Sequence, residues 1–455
     1  MTVAPARRVA LAVLARVRRD QAFSGPVLAG ELADAHLSPQ DSGLVTRLVS
    51  GVLSTSGVLD EALGRYLRQK PEPRVADVLR LAAYELLYGR APSYAVVDQA
   101  VVAVRRVRPQ AAGMANAVLR RLADDAASFP WGDPAHDRDA LARATGHPRW
   151  IVDLAIDALG QSHAGDMLQS GLEPAPSYVR LDPFAGDRDR TIAGLAPAEP
   201  MPAPPDEDCL RLGAPAHAYS ASEDGPRAWF AMDAAAQMAP ALCRPQDGER
   251  ICDLGAGRGN KTVCLQAIAV RSGGPASITA ADLHAHKLRG LRERLETSGV
   301  PGVTTVAADI VDLAADAAFR MSFDTVLLDA PCTGLGTLRR YPEKRWRIGS
   351  DDVERMATVQ DVLLNAASEL VRPGGRLVYS TCSVAPSENG GTVERFCSTE
   401  AGSHFSRSRV DDQVPREWEM FVDADGCFQS WPTVGGPDGH FVAVLHREES
   451  AAGPK

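Results

Sequence analysis

Residues 250–261 read Arg250-Ile251-Cys252-Asp253-Leu254-Gly255-Ala256-Gly257-Arg258-Gly259-Asn260-Lys261. A short apolar run closed by an acid, then three glycines at alternate positions, then a helical pattern, is the form of a strand, a tight turn and a helix whose free N–H groups face a ligand. The alternation continues outward. Strand-like runs at Ser277–Ala281, Val303–Ala307, Thr325–Leu328 and Arg376–Tyr379 are interleaved with helical patterns at Asn260–Val270, His286–Ser298 and Val353–Val371. Such a chain predicts a parallel sheet covered by helices on both faces, with its ligand crevice at the carboxyl ends of the strands. A last pair of runs, Cys427–Trp431 and His440–His446, bridged by Gly435-Gly436-Pro437-Asp438-Gly439, reads as a hairpin at the edge of that sheet.

The crevice end is rich in acids. Asp253 stands before the glycines, a place that suits a positively charged donor with an amino group better than a pyrophosphate. Asp282 closes the next strand pattern, where a carboxylate accepts hydrogen bonds from a ribose diol, and Asp309 follows the third, on the side of an adenine. Helix capping is the competing role for Asp282 and Asp309. Asn260-Lys261-Thr262 is no phosphate loop, since that motif needs a glycine before the lysine.

Two cysteines hold matching places, Asp329-Ala330-Pro331-Cys332 after Phe323–Leu328 and Thr381-Cys382-Ser383 after Arg376–Ser380. Singly, each is more simply a buried thiol. Jointly, two thiols and the Asp329 carboxylate at one sheet end make a reactive centre, in which one thiolate adds to an electrophilic carbon and a second group collapses the adduct. The other cysteines, at 209, 243, 252, 264, 397 and 427, form no Cys-x-x-Cys pair, so neither a zinc site nor a disulfide framework is expected, and no metal.

Upstream the pattern changes. From Arg7 to Ala123 it is helical, with Val9, Val13 and Val17 at four-residue spacing, and Pro71, Pro73, Pro92 and Pro109 fall where helices are expected to stop. This front part carries 17 Lys and Arg against 10 Asp and Glu within a chain whose net charge is −9, so the basic surface is concentrated there. A nucleic-acid backbone is one partner for such a surface, and a solvated helix face is the alternative. The apolar stretch Val9–Ala15 is closed by Arg16, Arg18 and Arg19, too short to span a bilayer and poorly shaped for export, which leads to the expectation of a cytoplasmic protein without a membrane partner. Between the helical front and the α/β part, a Pro-rich stretch Ala196–Pro205 precedes Asp206-Glu207-Asp208.

The run Asp329-Ala330-Pro331-Cys332-Thr333-Gly334-Leu335-Gly336-Thr337-Leu338-Arg339-Arg340-Tyr341-Pro342-Glu343 with Trp346, and the run Leu377-Val378-Tyr379-Ser380-Thr381-Cys382-Ser383 to Glu388-Asn389, resemble the signatures of RNA cytosine-C5 methyltransferases. The helical front, through Tyr84-Glu85-Leu86-Leu87-Tyr88 and Asn116-Ala117-Val118-Leu119-Arg120-Arg121, resembles the NusB-like domain of the RsmB/Sun branch, which acts on 16S ribosomal RNA. The resemblance implies a multidomain chain, with an all-α NusB-like RNA-binding bundle (1–125) before an α/β Rossmann-like class I methyltransferase domain (229–448); the weakly periodic, Pro-rich stretch between them reads as a small α+β connector (126–228), with a plain linker as the alternative, and 449–455 as a flexible tail.

It further implies Cys382 as the nucleophile that adds to cytosine C6, Cys332 as the residue that assists product release, and Asp329 as the partner of base N3. Asp253, Gly255, Ala256, Gly257, Arg258, Gly259, Asn260, Lys261, Asp282, Asp309 and Asp329 become the S-adenosyl-L-methionine site. The partner implied is RNA, 16S rRNA or a small-subunit assembly intermediate, with the base out of its stack. Two departures stand out. The family's Cys-Ala-Ala-Pro-Gly-Gly-Lys is here Gly255-Ala256-Gly257-Arg258-Gly259-Asn260-Lys261, and Asp182 replaces a usual Asn. They keep two alternatives in view, a non-catalytic RNA-binding or regulatory protein and a methyltransferase recruited to a small molecule.

Overall fold

The computed structural model describes residues 2–195, 200–213 and 228–449, so part of the Pro-rich stretch 196–205 and nearly all of the tail 449–455 lie outside the described residues. The chain divides into two units, Met1–Pro174 with Leu338–Ser350 and Ala175–Thr337 with Asp351–Lys455.

The first unit is built of helices α1 (Pro5–Asp20), α2 (Ser24–Ala35), α3 (Pro39–Gly64), α4 (Pro73–Leu87), α5 (Ser93–Val107), α6 (Ala112–Asp125), α7 (Arg138–Thr145) and α8 (Arg149–Ser170). Val9, Val13 and Val17 share the buried face of α1, as their spacing requires. α3 is long and apolar enough to cross a membrane by length and composition, but Val45, Val49, Leu59 and Ala62 on it are fully buried in this unit's core. The prolines fall at the breaks between helices as expected, and two of them also open the next element. Pro73 begins α4 and Pro109 begins a 3-10 turn, because an imide nitrogen is harmless where no N–H is needed and its fixed φ suits a first turn.

Residues 338–350 are part of this helical unit although they follow Cys332 closely in sequence. Arg345 is fully buried and donates to the carbonyls of Gly146 at 3.0 Å and Gly171 at 2.9 Å. The Trp346 indole donates to Ser54 O at 2.7 Å, and its ring lies where a Cβ on Gly57 would be 2.0 Å away. Buried Glu343 accepts from Ser24 N at 3.0 Å and Ser24 Oγ at 2.8 Å.

The second unit begins with a four-stranded sheet of order β2-β3-β1-β4, formed by β1 (Ser177–Leu181), β2 (Met201–Ala203), β3 (Asp206–Leu212) and β4 (Trp229–Ala231), with α9 (Arg188–Gly194). It continues through α10 (Met238–Cys243), β5 (Arg250–Leu254), α11 (Asn260–Arg271), β6 (Ser277–Asp282), α12 (Ala285–Ser298), β7 (Val303–Ala307), α13 (Ile310–Ala315), β8 (Phe323–Asp329), α14 (Ser350–Ser368), β9 (Val371–Thr381), α15 (Gly390–Cys397), β10 (Phe405–Ser408), β11 (Phe428–Gln429) and β12 (Phe441–Arg447).

These strands form an eight-stranded sheet of order β10-β12-β9-β8-β5-β6-β7, with β11 paired to β12. β5 to β9 are mutually parallel where they pair, and β12 is antiparallel to β9. The hairpin reading needs correction here: β12 is an inner strand, and β10, unforeseen, pairs beyond it. α14 also ends earlier than its apolar pattern suggested, and Val371 opens β9 instead. The parallel register aligns Leu254 with Leu328, Asp282 with Ala307 and Asp329 with Ser380, which brings the acids and both cysteine loops to one end of the sheet.

Candidate active site

Cys332 and Cys382 leave the ends of β8 and β9 and meet, with their sulfurs 3.3 Å apart. Both thiols are partly exposed, whereas Cys209, Cys243, Cys252, Cys264 and Cys427 are buried. Burial pushes the Cys264 thiol up to about 11 and Cys427 up to about 12, so these remain protonated packing groups. The Cys332 thiol is also raised, first by its hydrogen bond with Cys382, then by burial and by the charges of Cys382 and Glu388.

Asp329, the last residue of β8, receives a hydrogen bond from the Lys261 ammonium at 2.6 Å. Lys261 thus comes off the helix that follows the glycine loop into the cysteine cluster. Its pKa is raised, the charges of Asp329, Asp253 and Cys382 outweighing the opposing effect of burial.

In the glycine loop, Gly255, Gly257 and Gly259 all have positive φ, at 78°, 59° and 81°. A Cβ on Gly255 would be 2.6 Å from Asp329 O, and one on Gly259 would be 2.1 Å from Leu291 Cδ1. These two glycines allow close approach of backbone and helix. Gly257 differs: a Cβ there would meet only Gly255 O at 3.8 Å, so this face of the loop is open to a ligand. Ala256 is buried and the Arg258 side chain is exposed.

Asp253 is wholly buried. Its Oδ2 accepts from Thr262 Oγ1 at 2.6 Å, and Oδ1 has no hydrogen-bond partner among the described residues. Burial raises its pKa to about 6, with the Thr262 bond and Lys261 opposing and Asp329 and Asp282 adding to the rise. Its negative charge is therefore under-compensated beside the loop, a setting that favours a cationic ligand there. Asp282 accepts from Gly257 N at 3.0 Å and His284 N at 2.7 Å and so holds the glycine loop itself. Asp309 caps α13, accepting from Val311 N at 2.8 Å.

Three further groups escaped the sequence reading. Glu388, fully buried, accepts from Thr333 N at 2.7 Å, from Thr333 Oγ1 at 2.5 Å and from Ser383 Oγ, the residues that follow Cys332 and Cys382. Asn389 accepts from Thr381 Oγ1 at 2.6 Å and donates to Ser383 O at 3.0 Å. Arg294 donates to Asn260 Oδ1 at 3.0 Å and to buried Asp182 at 3.1 Å, and lies 3.9 Å from the Phe230 ring centroid. The Asp182 carboxylate is thus tied through Arg294 to Asn260, the residue after the glycine loop. The first two stood in the motif run as Glu388-Asn389, but only tertiary structure reveals what they hold.

The fold and this strand-end cluster define a Rossmann-like methyltransferase domain in a chain that also carries a helical NusB-type region. The sequence matches the family described as "16S rRNA methyltransferase RsmB/F" over residues 240–446 and the NusB family over residues 4–124. A Mycobacterium tuberculosis protein named as a methyltransferase is 32% identical, the alignment covering 97% of this chain and 96% of that protein. "Probable ribosomal RNA small subunit methyltransferase B" of Bacillus subtilis is 29% identical, with 97% and 98% covered. The crystal structure of the protein PH0851 superposes with a TM-score of 0.78 at 21% identity, covering 98% of this chain and all of that one, and shows the shared fold. The chain belongs to the RsmB/F family of rRNA methyltransferases.

Proposed function

We propose that this protein methylates C5 of a cytosine in RNA, using S-adenosyl-L-methionine, and that its substrate is 16S rRNA or a small-subunit assembly intermediate in the cytoplasm. The observation that carries this reading is the 3.3 Å contact between Cys332 and Cys382 at the end of the sheet that also presents the Lys261–Asp329 pair. The loop from Asp253 to Lys261, with Asp282 and Asp309, would hold S-adenosylmethionine, and its open Gly257 face and under-compensated Asp253 fit a cationic donor. When bound, that donor supplies the methyl group as an electrophilic carbon.

Cytosine C5 is too weak a nucleophile to accept a methyl group unaided. The Cys382 thiolate adds to C6, and the former C5–C6 π pair becomes available at C5 as an enamine. Asp329 would meet the base at N3, and the Lys261 ammonium that donates to it supplies a proton in the same hydrogen-bonded chain, so charge that develops on the ring would be met inside the site. Release reverses the addition. The C5 proton is given up to solvent, its bonding pair restores the double bond, and the sulfur of Cys382 leaves C6 as thiolate with Cys332 3.3 Å away to hold it by a hydrogen bond. The basic helical region supports RNA as the partner, since it can meet phosphates while the target base is turned into the crevice.

Cys382→Ala is expected to abolish methyl transfer to 16S rRNA, and Cys332→Ala to accumulate a covalent protein–RNA species visible as a slowed band on a denaturing gel. Normal turnover by both variants would overturn the assignment. Calorimetry with S-adenosylmethionine separates this reading from a non-catalytic RNA-binding protein, which would bind no donor.

A further inference from the structure

The two active-site thiols are not in equivalent electrostatic surroundings. On one side is Glu388, a carboxylate with no exposed surface, bonded to the backbone N–H and hydroxyl of Thr333, the residue after Cys332. Gln360 Nε2 adds a longer contact at 3.4 Å, and the same carboxylate takes the Ser383 hydroxyl. No salt bridge is formed by Glu388 among the described residues, so hydrogen bonds alone hold its charge, and that charge acts on Cys332. On the other side is Lys261, whose ammonium interacts electrostatically with Cys382 and donates to Asp329. Tyr379 also faces Cys332, but its own hydroxyl is spent on Glu388 O at 2.6 Å and it remains neutral.

We propose that Glu388 is a positioning residue that seats both cysteine loops and, opposed by Lys261, polarises the thiol pair so that the shared proton stays on Cys332 and Cys382 is the sulfur that ionises. Two thiols 3.3 Å apart give up protons in two coupled steps, and the first step belongs to whichever sulfur is favoured by its surroundings. An anion beside Cys332 and a cation beside Cys382 both select Cys382. The remaining S–H of Cys332 then donates to the Cys382 thiolate, and the same donor is in place when that sulfur departs from C6. No co-reactant is needed, because one proton leaves Cys382 for solvent and the other never moves.

This deepens the function proposed above and rests on it for its role in catalysis, but the polarity of the pair can be measured without RNA. The full-length protein is treated with iodoacetamide across pH 5–10 at low conversion, and the peptides carrying Cys332 and Cys382 are quantified by mass spectrometry. In the wild type Cys382 is expected to alkylate at lower pH, with an excess of about tenfold for each pH unit that separates the two midpoints. Glu388→Gln, which keeps an acceptor but removes the charge, is expected to bring the Cys332 midpoint down, whereas Lys261→Met is expected to move the Cys382 midpoint up. A purely structural role for either side chain would not move one named cysteine in one direction.

Equal midpoints, or earlier alkylation of Cys332 in the wild type, would overturn the inference even if neither variant folded. Persistence of the wild-type Cys332 midpoint in a folded Glu388→Gln protein would overturn the part assigned to Glu388. If the alkylation order holds but Cys382→Ala still methylates RNA, the proposed function fails and the polarised pair stands. If methylation needs Cys382 but the order fails, this inference alone is lost.

Discussion

At the scale of single residues, the most informative group is one whose ordinary role would be unremarked. Asp253, one residue before the end of central strand β5, has no exposed surface and carries one oxygen without a partner among the described residues. Its folded pKa of about 6 lies above its ordinary 3.8. Between those values the folded chain keeps a proton that the unfolded chain has lost, so stability falls as pH rises through this window, and the full deficit is present above it. The shift corresponds to at most about 3 kcal/mol. Urea unfolding at pH 4 and pH 7.5 is expected to show the wild type losing about 2–3 kcal/mol relative to Asp253→Asn over that interval. A difference that did not change with pH would remove the argument for an under-compensated charge at the donor loop. The sequence placed Asp253, Asp282 and Asp309 at strand ends, and that much was legible because strand length fixes where each strand stops. For Asp309 the capping role named as the alternative is the one observed, since it accepts from Val311 N at the start of α13. That Asp282 accepts from Gly257 N was not legible, because a backbone donor across the loop leaves no mark on the residue pattern.

At the scale of elements, periodicity located the strands that carry the site and failed where neighbours decide. Val303–Ala307 was foreseen with its observed bounds. β10 was missed because Phe405–Ser408 is only four residues long, too short for a period to show, and it exists through pairing with β12. α14 was extended too far because an apolar run such as Leu370-Val371 suits a helix end and a buried strand equally. Residues 338–350 are the largest surprise at this scale, since the sequence reading took them only as part of a motif run and gave them no place in the helical unit. Arg345 has no exposed surface and a cage of backbone carbonyls. Arg345→Ala would leave those carbonyls without a donor, and a loss of about 3 kcal/mol or more in the stability of the protein is expected, read by chemical denaturation. Arg345→Lys should recover little, because one ammonium cannot reproduce the planar fork that reaches Gly146 and Gly171 together. Full stability of Arg345→Ala would contradict the structural part given to this segment.

At the scale of the whole molecule, two properties seen along the sequence acquire a physical sense together. Positive charge is concentrated in the helical front, and the two neighbouring thiols, Cys332 and Cys382, follow the strands β8 and β9 of the parallel sheet. The order of these parts was legible from composition and motif alone. Their division was not, because residues 338–350 return to the helical unit by tertiary bonds that no local pattern encodes. On the proposed function, charge on one part would hold a long polyanion while covalent chemistry on the other works on one base. The covalent step is the centre of this account, and it can be caught directly. 16S rRNA transcribed with 5-fluorocytidine has no C5 proton to lose, so an adduct formed on it cannot collapse. After incubation with S-adenosylmethionine, nuclease and protease digestion and mass spectrometry, a methylated fluorocytidine is expected on the peptide that carries Cys382. The same adduct on Cys332, or methylation of normal rRNA with no trapped peptide at all, would contradict it.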